Sequence, residues 1–329
     1  MYYYVNIIIQ GRDDKVKKIN KIIITLLLII SSCFILYLVK NDTNNISSVI
    51  YQEAENLKIE NGYYLDLYTN GNENIERNGL IEFDNNTTLN AVVKNIGKER
   101  NFMIKLYLNY EEISFFIDDL EYKNYEFSIG ESKSITIPFK LKNINPLTNS
   151  KLTVFLIASP EISASDINEL PTDSYGIVLD YFLSVNNTTE NVIELNQNSS
   201  NADIYFEEPF YTFVINNDFS ESNEAKYPPN SLKVSQGETV ELAYRIGADI
   251  TTDKVLLCLN VGWKQTAIDN QPYKIINIQK DKACYGTFTI KAPNKPGKYE
   301  ISSFLVENPN EWSEYVPLRK SLRFTLEVE

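Results

Sequence analysis

TLNAVVKNIG at residues 88–97 and TVELAYRIGA at residues 239–248 begin one strand pattern that the chain carries twice. Apolar and polar residues alternate in both stretches with a period of two, which is typical of a β-strand with one buried face. Further pairs follow in the same order: SIGESKSITIPFKLKN with YGTFTIKAPNKPG, SKLTVFLIASPE with GKYEISSFLVENPN, and GIVLDYFLSV with SLRFTLEV. The sequence therefore predicts two copies of one β-structure.

Short alternations rich in Ile, Val, Tyr, Phe and Thr recur beyond residue 60, and turn residues interrupt them. No long segment there has a helical period. Each copy spans about 100 residues, which is the size of an immunoglobulin-like sandwich. We therefore expect an all-β fold with two tandem immunoglobulin-like β-sandwiches. Their expected bounds are 61–190 for the first, 191–202 for a flexible polar linker, and 203–329 for the second.

The first copy resembles the bacterial cell-adhesion-related immunoglobulin-like family known as CARDB. The resemblance covers about residues 79–186 and depends on VVKNIG (Val92–Gly97) and IGESKSITIPFKL (Ile129–Leu141). In the family, the second motif corresponds to a Gly-Glu turn before an alternating strand. The resemblance implies a sandwich fold with an extracellular adhesive or spacer role, and it implies no catalytic residues.

An uncharged run of 18 residues, Ile22 to Val39 (IIITLLLIISSCFILYLV), lies near the start of the chain. A helix of that length spans roughly 27 Å, about the thickness of a membrane's hydrocarbon core. Most basic residues of the first 50 precede the run, and the positive-inside rule then places the N-terminus in the cytoplasm. We expect a cytoplasmic tail at 1–20, a transmembrane anchor at 21–40, a stalk at 41–60, and an extracytoplasmic location for 41–329.

Cys33 allows a second interpretation of this run. Ile30-Ser31-Ser32-Cys33 resembles a bacterial lipobox, in which the Cys would be diacylated and become the new N-terminus. The residues after Cys33 are apolar, however, whereas a mature lipoprotein usually turns polar there. A cleaved signal peptide is a further alternative. The spanning anchor and the lipoprotein both place the chain beyond residue 50 on the same side of the membrane.

The composition excludes several kinds of chemistry. The 329 residues include no His, so Ser-His-Asp catalysis, an HExxH metalloprotease and His-ligated metals are excluded. A net charge of −13 argues against a nucleic-acid partner, which requires a basic surface. No GxSxG, GxGxxG or GxxxxGK[ST] motif is present. We expect a non-enzymatic protein without a cofactor or a bound metal.

Four residues beyond the anchor stand out. Cys258 and Cys284 would form a disulfide if their strands face each other, or would be two buried thiols. Tyr299 follows a Pro-Gly turn and resembles a tyrosine corner, whose hydroxyl ties the incoming loop to the sheet. Trp263 ends a strand near the position where immunoglobulin sandwiches often bury a Trp. We expect structural roles for both aromatic residues.

Tyrosines and carboxylates supply the remaining alternatives. Clustered tyrosines would serve either as stacking platforms for sugars or as half-buried strand residues; they are Tyr63-Tyr64, Tyr107/Tyr110 and Tyr122/Tyr125. Acidic turns would hold Ca²⁺ or remain solvated; they are Asp84-Asn85-Asn86, Asp118–Glu121 and Glu207-Glu208. A carboxylate pair of a hydrolase is a further alternative, but no spacing selects one.

The expected function follows from these features together. A membrane-anchored, extracytoplasmic protein with immunoglobulin-like modules would serve adhesion or envelope scaffolding through a protein or glycan partner at the cell surface. A carbohydrate-binding module for surface glycans is the alternative from a different class. The membrane itself would be contacted through residues 22–39.

Overall fold

The fold is known from a computed structural model, which describes most of the chain beyond residue 60. The described residues are 61–69, 74–75, 79–84, 87–142, 149–166, 176–184, 193, 195, 197, 199–207, 209–210, 212–220, 227–311 and 318–329. The expected tail (1–20), anchor (21–40), stalk (41–60) and Cys33 lie outside them, as do residues 191, 192, 194, 196 and 198 of the expected linker. The described residues contain no helix that is long and apolar enough to cross a membrane.

The first half of the described chain consists of twelve strands and one short 3₁₀ helix, η1 (Ala164–Asp166). The strands are β1 (Gly62–Tyr68), β2 (Asn74–Ile75), β3 (Leu80–Glu82), β4 (Leu89–Ile96), β5 (Arg100–Leu108), β6 (Glu111–Ile113), β7 (Phe115–Ile117), β8 (Leu120–Tyr122), β9 (Asn124–Ile129), β10 (Ser134–Leu141), β11 (Ser150–Ala158) and β12 (Ile177–Ser184).

These strands form two sheets, which we call the first sheet pair. One sheet has the order β2-β1-β4-β10-β7-β8, and the other has the order β3-β12-β11-β5-β6 with β9 also paired to β5. The alternating residues of β4 place Leu89, Ala91 and Val93 in the core between the sheets, against Leu106 and Leu156 from the other sheet. Burial of this apolar surface is the main stabilising contribution to a sandwich.

The second half contains another twelve strands. They are β13 (Ser199–Asn201), β14 (Ile204–Tyr205), β15 (Phe213–Asn216), β16 (Ser231–Val234), β17 (Thr239–Ile246), β18 (Lys254–Val261), β19 (Lys264–Gln265), β20 (Lys274–Asn277), β21 (Cys284–Lys291), β22 (Gly297–Glu307), β23 (Leu318–Lys320) and β24 (Phe324–Val328).

The second sheet pair encloses a core of its own. One sheet has the order β13-β20-β18-β22-β24-β16, with β19 on β18 and β23 on β22, and the other has the order β14-β21-β17-β15. Val240, Leu242 and Tyr244 of β17 point into this core, where they meet Leu257 and Leu305 from the opposite sheet. The part of the chain that the structure describes is therefore an all-β sandwich protein.

The two sheet pairs share one strand connectivity. β4 pairs with β10 as β17 pairs with β21, and β5 pairs with β11 as β18 pairs with β22. The last strand of each pair lies antiparallel to a long strand, β12 to β11 and β24 to β22, and parallel to an early strand, β12 to β3 and β24 to β16. These equivalent strands carry the sequence motifs that occur twice in the chain.

Residues 61–329 form one compact unit. The expected domain and linker bounds stay predictions. All nine residues of β11 and seven of the eight residues of β18 are buried. Strands that are buried on both faces have continuous apolar sequences rather than alternating ones. VFLIA in β11 and VLLCL in β18 are such sequences. Their outward faces are buried because the two sheet pairs pack against each other.

Candidate functional site

The contact between the sheet pairs contains a third apolar cluster, separate from the two sandwich cores. It takes residues from β5, β11 and β12 on one side and from β18, β20 and β22 on the other; the buried members are Met103, Tyr107, Tyr110, Phe155, Ile157, Phe182, Ile193, Leu256, Cys258, Tyr273, Ile275, Phe304 and Val306. The ring of Phe304 lies edge-on to Tyr107 and Phe155, at centroid distances of 5.3 and 5.9 Å. Such aromatic packing contributes beyond area burial alone.

Ile193 shows that the connecting segment takes part in this contact. Its side chain is buried in the cluster. Its backbone amide donates to the carbonyl of Asn310 (2.9 Å), and the Asn310 side chain donates back to the carbonyl of Ile193 (3.3 Å). The connection is therefore attached to the second sheet pair at this residue.

Lys105 on β5 is fully buried at one end of the contact. Its Nζ donates to the carbonyl of Trp263 and lies 3.2 Å from a carboxylate oxygen of Glu112. Asn124 also donates to the Trp263 carbonyl, at 3.3 Å. Burial lowers the pKa of Lys105, although Glu112 opposes the shift. This ammonium group therefore joins the two sheet pairs.

Lys151 and Asp180 form a buried ion pair on the first sheet pair, with Nζ 3.4 Å from Oδ2. Asp180 also accepts a hydrogen bond from Thr153 Oγ1 at 2.7 Å and one from the Tyr110 hydroxyl at 3.3 Å. The same hydroxyl lies 3.2 Å from the carbonyl of Pro309, across the contact. Burial raises the pKa of Asp180 despite these partners, and it raises that of Tyr110 well above its usual value.

Glu300 and Arg323 form the corresponding ion pair on the second sheet pair, with Nε 3.6 Å from Oε2. The Arg323 guanidinium donates to the carbonyls of Ser159 (3.1 Å) and Ile162 (2.9 Å) in the first sheet pair. Glu300 accepts hydrogen bonds from Ser163 Oγ and from the Ala164 amide, at 2.8 and 3.1 Å. Charge-assisted bonds of this kind fix one geometry across the contact.

The two aromatic residues singled out in the sequence lie at different places. Trp263 lies in the turn between β18 and β19, at the contact and not in the sandwich core, and the Arg323 guanidinium lies 5.6 Å from its ring centroid. Tyr299 lies on β22 and donates its hydroxyl to the carbonyl of Lys295 in the preceding turn (3.0 Å). This bond ties the incoming turn to the sheet.

A Cys258–Cys284 disulfide, one of the two alternatives that the sequence leaves open, is not formed in the structure, where both thiols are free and buried. Successive side chains of a strand point to opposite faces of its sheet. On β18, Leu257 and Leu259 enter the sandwich core, whereas Cys258 points into the contact, with Sγ 3.4 Å from the carbonyl of Tyr110. Cys284 belongs to the core on the other face of the sheet. Burial raises the pKa of Cys284 to about 12 and that of Cys258 further.

Five of the six tyrosines expected to be sugar platforms or half-buried strand residues make contacts within the sheet pairs or between them. Tyr107 and Tyr110 are fully buried in the contact. Tyr122 and Tyr125 pack edge to face at 5.0 Å against the core of the first sheet pair. Tyr63 accepts a hydrogen bond from the Gly176 amide at 2.7 Å. Strand packing therefore accounts for these side chains.

The acidic turn Asp118–Glu121 has a local explanation, whereas Asn85, Asn86 and Glu208 of the other two turns lie outside the described residues. Asp118 and Asp119 have positive φ values of 47° and 61° in the two-residue turn between β7 and β8, where Asp is favoured. Glu121 pairs with Lys142 at 2.6 Å. Within the described ranges, no three His, Cys, Asp or Glu side chains converge as a metal site would require. The site built by this chain is a packing surface with buried charges.

Comparison with known proteins adds three weak likenesses. No family model matches the chain, and no curated protein matches it. Similar solved structures include the C-terminal domain of the Streptococcus pyogenes antigen I/II-family protein AspA, with 13% identity over 82% of this chain and 99% of that one and a TM-score of 0.22. The Streptococcus agalactiae BspA C-terminal domain shows 9% identity over 80% and 99%, with a TM-score of 0.22.

The calcium-binding domain CBD12 of CALX1.1 shows 6% identity over 72% of this chain and 79% of that one, with a TM-score of 0.21. Likenesses at this level do not define a family. The resemblance to CARDB therefore stays a prediction.

Lys320 gives the contact a pH dependence that can be measured. Its Nζ donates to the carbonyl of Gly176, and burial lowers its pKa to about 8. An unfolded Lys titrates near pH ~10.4, so between these values the unfolded chain binds more protons and the free energy of unfolding rises with pH. We expect urea unfolding to show this rise from pH 8 to 10 in the parent but not in Lys320→Met.

Lys233→Met is the matched control, because Lys233 is exposed and its variant should keep the parent's slope. Equal slopes in the parent and in Lys320→Met would contradict the assignment.

Proposed function

We propose that this chain is a membrane-anchored extracytoplasmic protein whose two immunoglobulin-like sandwiches form one rigid, non-enzymatic module for adhesion or envelope scaffolding. The observation that carries the proposal is the buried contact between the first and second sheet pairs. Its apolar cluster, ion pairs and reciprocal hydrogen bonds hold the sheet pairs at one spacing. A rigid module of this kind presents a binding surface at a defined distance from its anchor.

The contact also restricts where a partner binds. The faces of β5, β11 and β12 and of β18 and β22 are buried against each other, so they are not available to another molecule. The outer sheets and the loops at the ends of the sandwiches remain, and loops on a rigid scaffold commonly carry recognition. The glycan alternative is the weaker proposal, because Tyr107 and Tyr110 are inside the contact.

The hydropathy and charge of residues 1–40 support the location. A membrane-impermeant maleimide applied to intact cells tests it, in a Cys33→Ser background whose Cys258 and Cys284 are buried. We expect Thr239→Cys, at an exposed strand position, to be labelled on intact cells. Gln10→Cys should be labelled only after lysis. Labelling of Gln10→Cys alone, or of neither variant before lysis, would contradict the proposed topology.

A second experiment tests whether residues 61–329 mediate adhesion. Cells displaying the full chain are compared with cells displaying a variant that lacks residues 61–329, for aggregation and for attachment to purified cell-wall glycan. Aggregation that requires residues 61–329 would support protein-mediated adhesion or scaffolding, and attachment to glycan alone would support the alternative.

A further inference from the structure

The two sides of the contact are built from the same hairpin. β5 and β6 are joined by the turn Asn109-Tyr110, with φ values of 48° and 67°, and β18 and β19 are joined by Gly262-Trp263, with φ values of 57° and 61°. Both are two-residue turns of the kind that matches the twist of a hairpin. Counting from the turns therefore assigns each residue of one hairpin a counterpart in the other.

Counterparts in the hairpins touch each other directly. Tyr107 and Asn260 each lie two residues before their turn, and the Tyr107 hydroxyl donates to Asn260 Oδ1 at 2.7 Å. Glu112 and Gln265 each lie two residues after their turn. The Glu112 amide donates to Gln265 Oε1 (2.6 Å), and the Gln265 amide donates to Glu112 Oε2 (2.7 Å).

Contacts between non-equivalent positions occur in both directions. Lys105 donates to the carbonyl of Trp263. Its counterpart Cys258 lies with Sγ 3.4 Å from the carbonyl of Tyr110, which is the counterpart of Trp263. A contact from position i to position j and a second from j to i are the mark of a two-fold interface.

The next pair of strands repeats the arrangement. Phe155 on β11 and Phe304 on β22 each lie four residues before a residue with positive φ, Ser159 at 50° and Asn308 at 47°. The two rings touch, with centroids 5.9 Å apart. Equivalent residues of the two sheet pairs thus meet along a pseudo-two-fold axis, as in a symmetric dimer whose subunits are joined in one chain.

The buried ion pairs are also counterparts, but their signs are reversed. Lys151 lies four residues before Phe155, and Glu300 lies four residues before Phe304. Asp180 and Arg323 occupy equivalent positions on the next strands. Asp180 precedes Tyr181, which pairs with Leu152, the residue after Lys151. Arg323 precedes Phe324, which pairs with Ile301, the residue after Glu300. The first surface therefore has its cation where the second has its anion.

We infer that the two sheet pairs are diverged copies of one self-complementary surface, and that Glu300 and Arg323 determine that the first copy pairs with the second. The loop after β11 presents the carbonyls of Ser159 and Ile162 to Arg323, and the amide of Ala164 to Glu300. If a second copy of the first surface docked there, an Asp would face the carbonyls and a Lys would face the amide.

The Asp would repel the carbonyl oxygens, and the Lys would leave the amide without an acceptor. A surface selects its partner by disfavouring the wrong pairing as much as by favouring the right one. The partner that fits each surface is therefore the other half of this chain, and self-pairing of the first surface between chains is opposed.

The two buried cysteines make this testable in the full chain. Cys258 lies in the contact and Cys284 lies in a sandwich core, so thiol labelling, read for each peptide by mass spectrometry, reports the two regions separately. The variant Glu300→Lys with Arg323→Asp gives the second surface the ion pair of the first. We expect Cys258 to be labelled about 100-fold faster than in the parent, because breaking buried charge contacts opens the contact, and Cys284 to stay protected.

The control is Lys151→Glu with Asp180→Arg, which makes the converse exchange and leaves the bonds from Arg323 and Glu300 to the loop in place. Cys258 of this control should be labelled at least tenfold more slowly than Cys258 of the first variant. Parent-like protection of Cys258 in the first variant, or equal acceleration in the control, would overturn the inference. If both cysteines of the first variant are exposed, the milder variant Glu300→Gln with Arg323→Gln replaces it. Parent-like protection of Cys258 in that variant, or acceleration equal to that in the control, would overturn the inference.

Discussion

Replacing Phe304 with Ala is expected to lower the free energy of unfolding by about 3–5 kcal/mol, the cost of removing a large aromatic ring from a packed interior. The ring is fully buried between Tyr107 and Phe155, which belong to the other sheet pair. The variant leaves a cavity at the centre of the contact, and the neighbouring rings are fixed in strands and cannot collapse into it.

Urea denaturation followed by fluorescence measures this loss, and Phe219→Ala is its matched control. Phe219 is 45% exposed, so its removal should change the free energy of unfolding by less than about 0.5 kcal/mol. A Phe304→Ala variant as stable as Phe219→Ala would show that the sheet pairs do not depend on their contact.

Replacing Asp180 with Ala is expected to cost about 3–5 kcal/mol, because it leaves the buried Lys151 side chain without the carboxyl group that it contacts. Both side chains are 2% exposed, so water does not replace the lost partner. Thr153 and Tyr110 lose an acceptor at the same time. Removing one member of a buried pair is far more costly than removing a pair at the surface.

The loss in free energy of unfolding of Asp180→Ala should decrease as the pH rises. The pKa of Asp180 is raised in the folded chain, so the folded state keeps this proton to higher pH than the unfolded state does. The contribution of Asp180 is complete below the unfolded pKa of about 4 and decreases as pH rises through the folded value. Chemical denaturation should therefore show a larger loss for Asp180→Ala at pH 4.5 than at pH 8.

The exposed Lys233–Glu329 pair supplies the comparison. Its N–O distance of 2.7 Å is shorter than that of the buried pair, yet both side chains are about two-thirds exposed. Glu329→Ala should leave the denaturation midpoint unchanged at both pH values. A comparable loss in the two variants would mean that burial does not set the cost.

Alternation predicted the strands that face solvent on one side. The strands β10 (Ser134–Leu141) and β17 (Thr239–Ile246) lie within the alternating motifs SIGESKSITIPFKLKN and TVELAYRIGA. The three-residue strands β6 and β8 were missed because EEI and LEY are too short and too charged to show a period. Hairpin geometry, not side-chain pattern, places them in the sheets.

The contact between the sheet pairs could not be predicted in the same way. Lys105, Lys151 and Asp180 resemble surface charges in the sequence, and only the fold shows that they are buried together. The one available signal was the run of consecutive apolar residues in β11 and β18, which one-sided burial does not explain. Tyr107 and Tyr110 had the same ambiguity, because a Tyr suits both exposed and half-buried positions.

The central claim is that residues 61–329 hold their two sheet pairs at one fixed spacing. Spin labels at Thr136→Cys on the outer sheet of the first pair and at Glu241→Cys on the outer sheet of the second, both exposed positions in a Cys33→Ser background, report that spacing by double electron–electron resonance. We expect a single narrow distance distribution in the parent chain, and a broader one in Phe304→Ala. A broad distribution in the parent chain would contradict it.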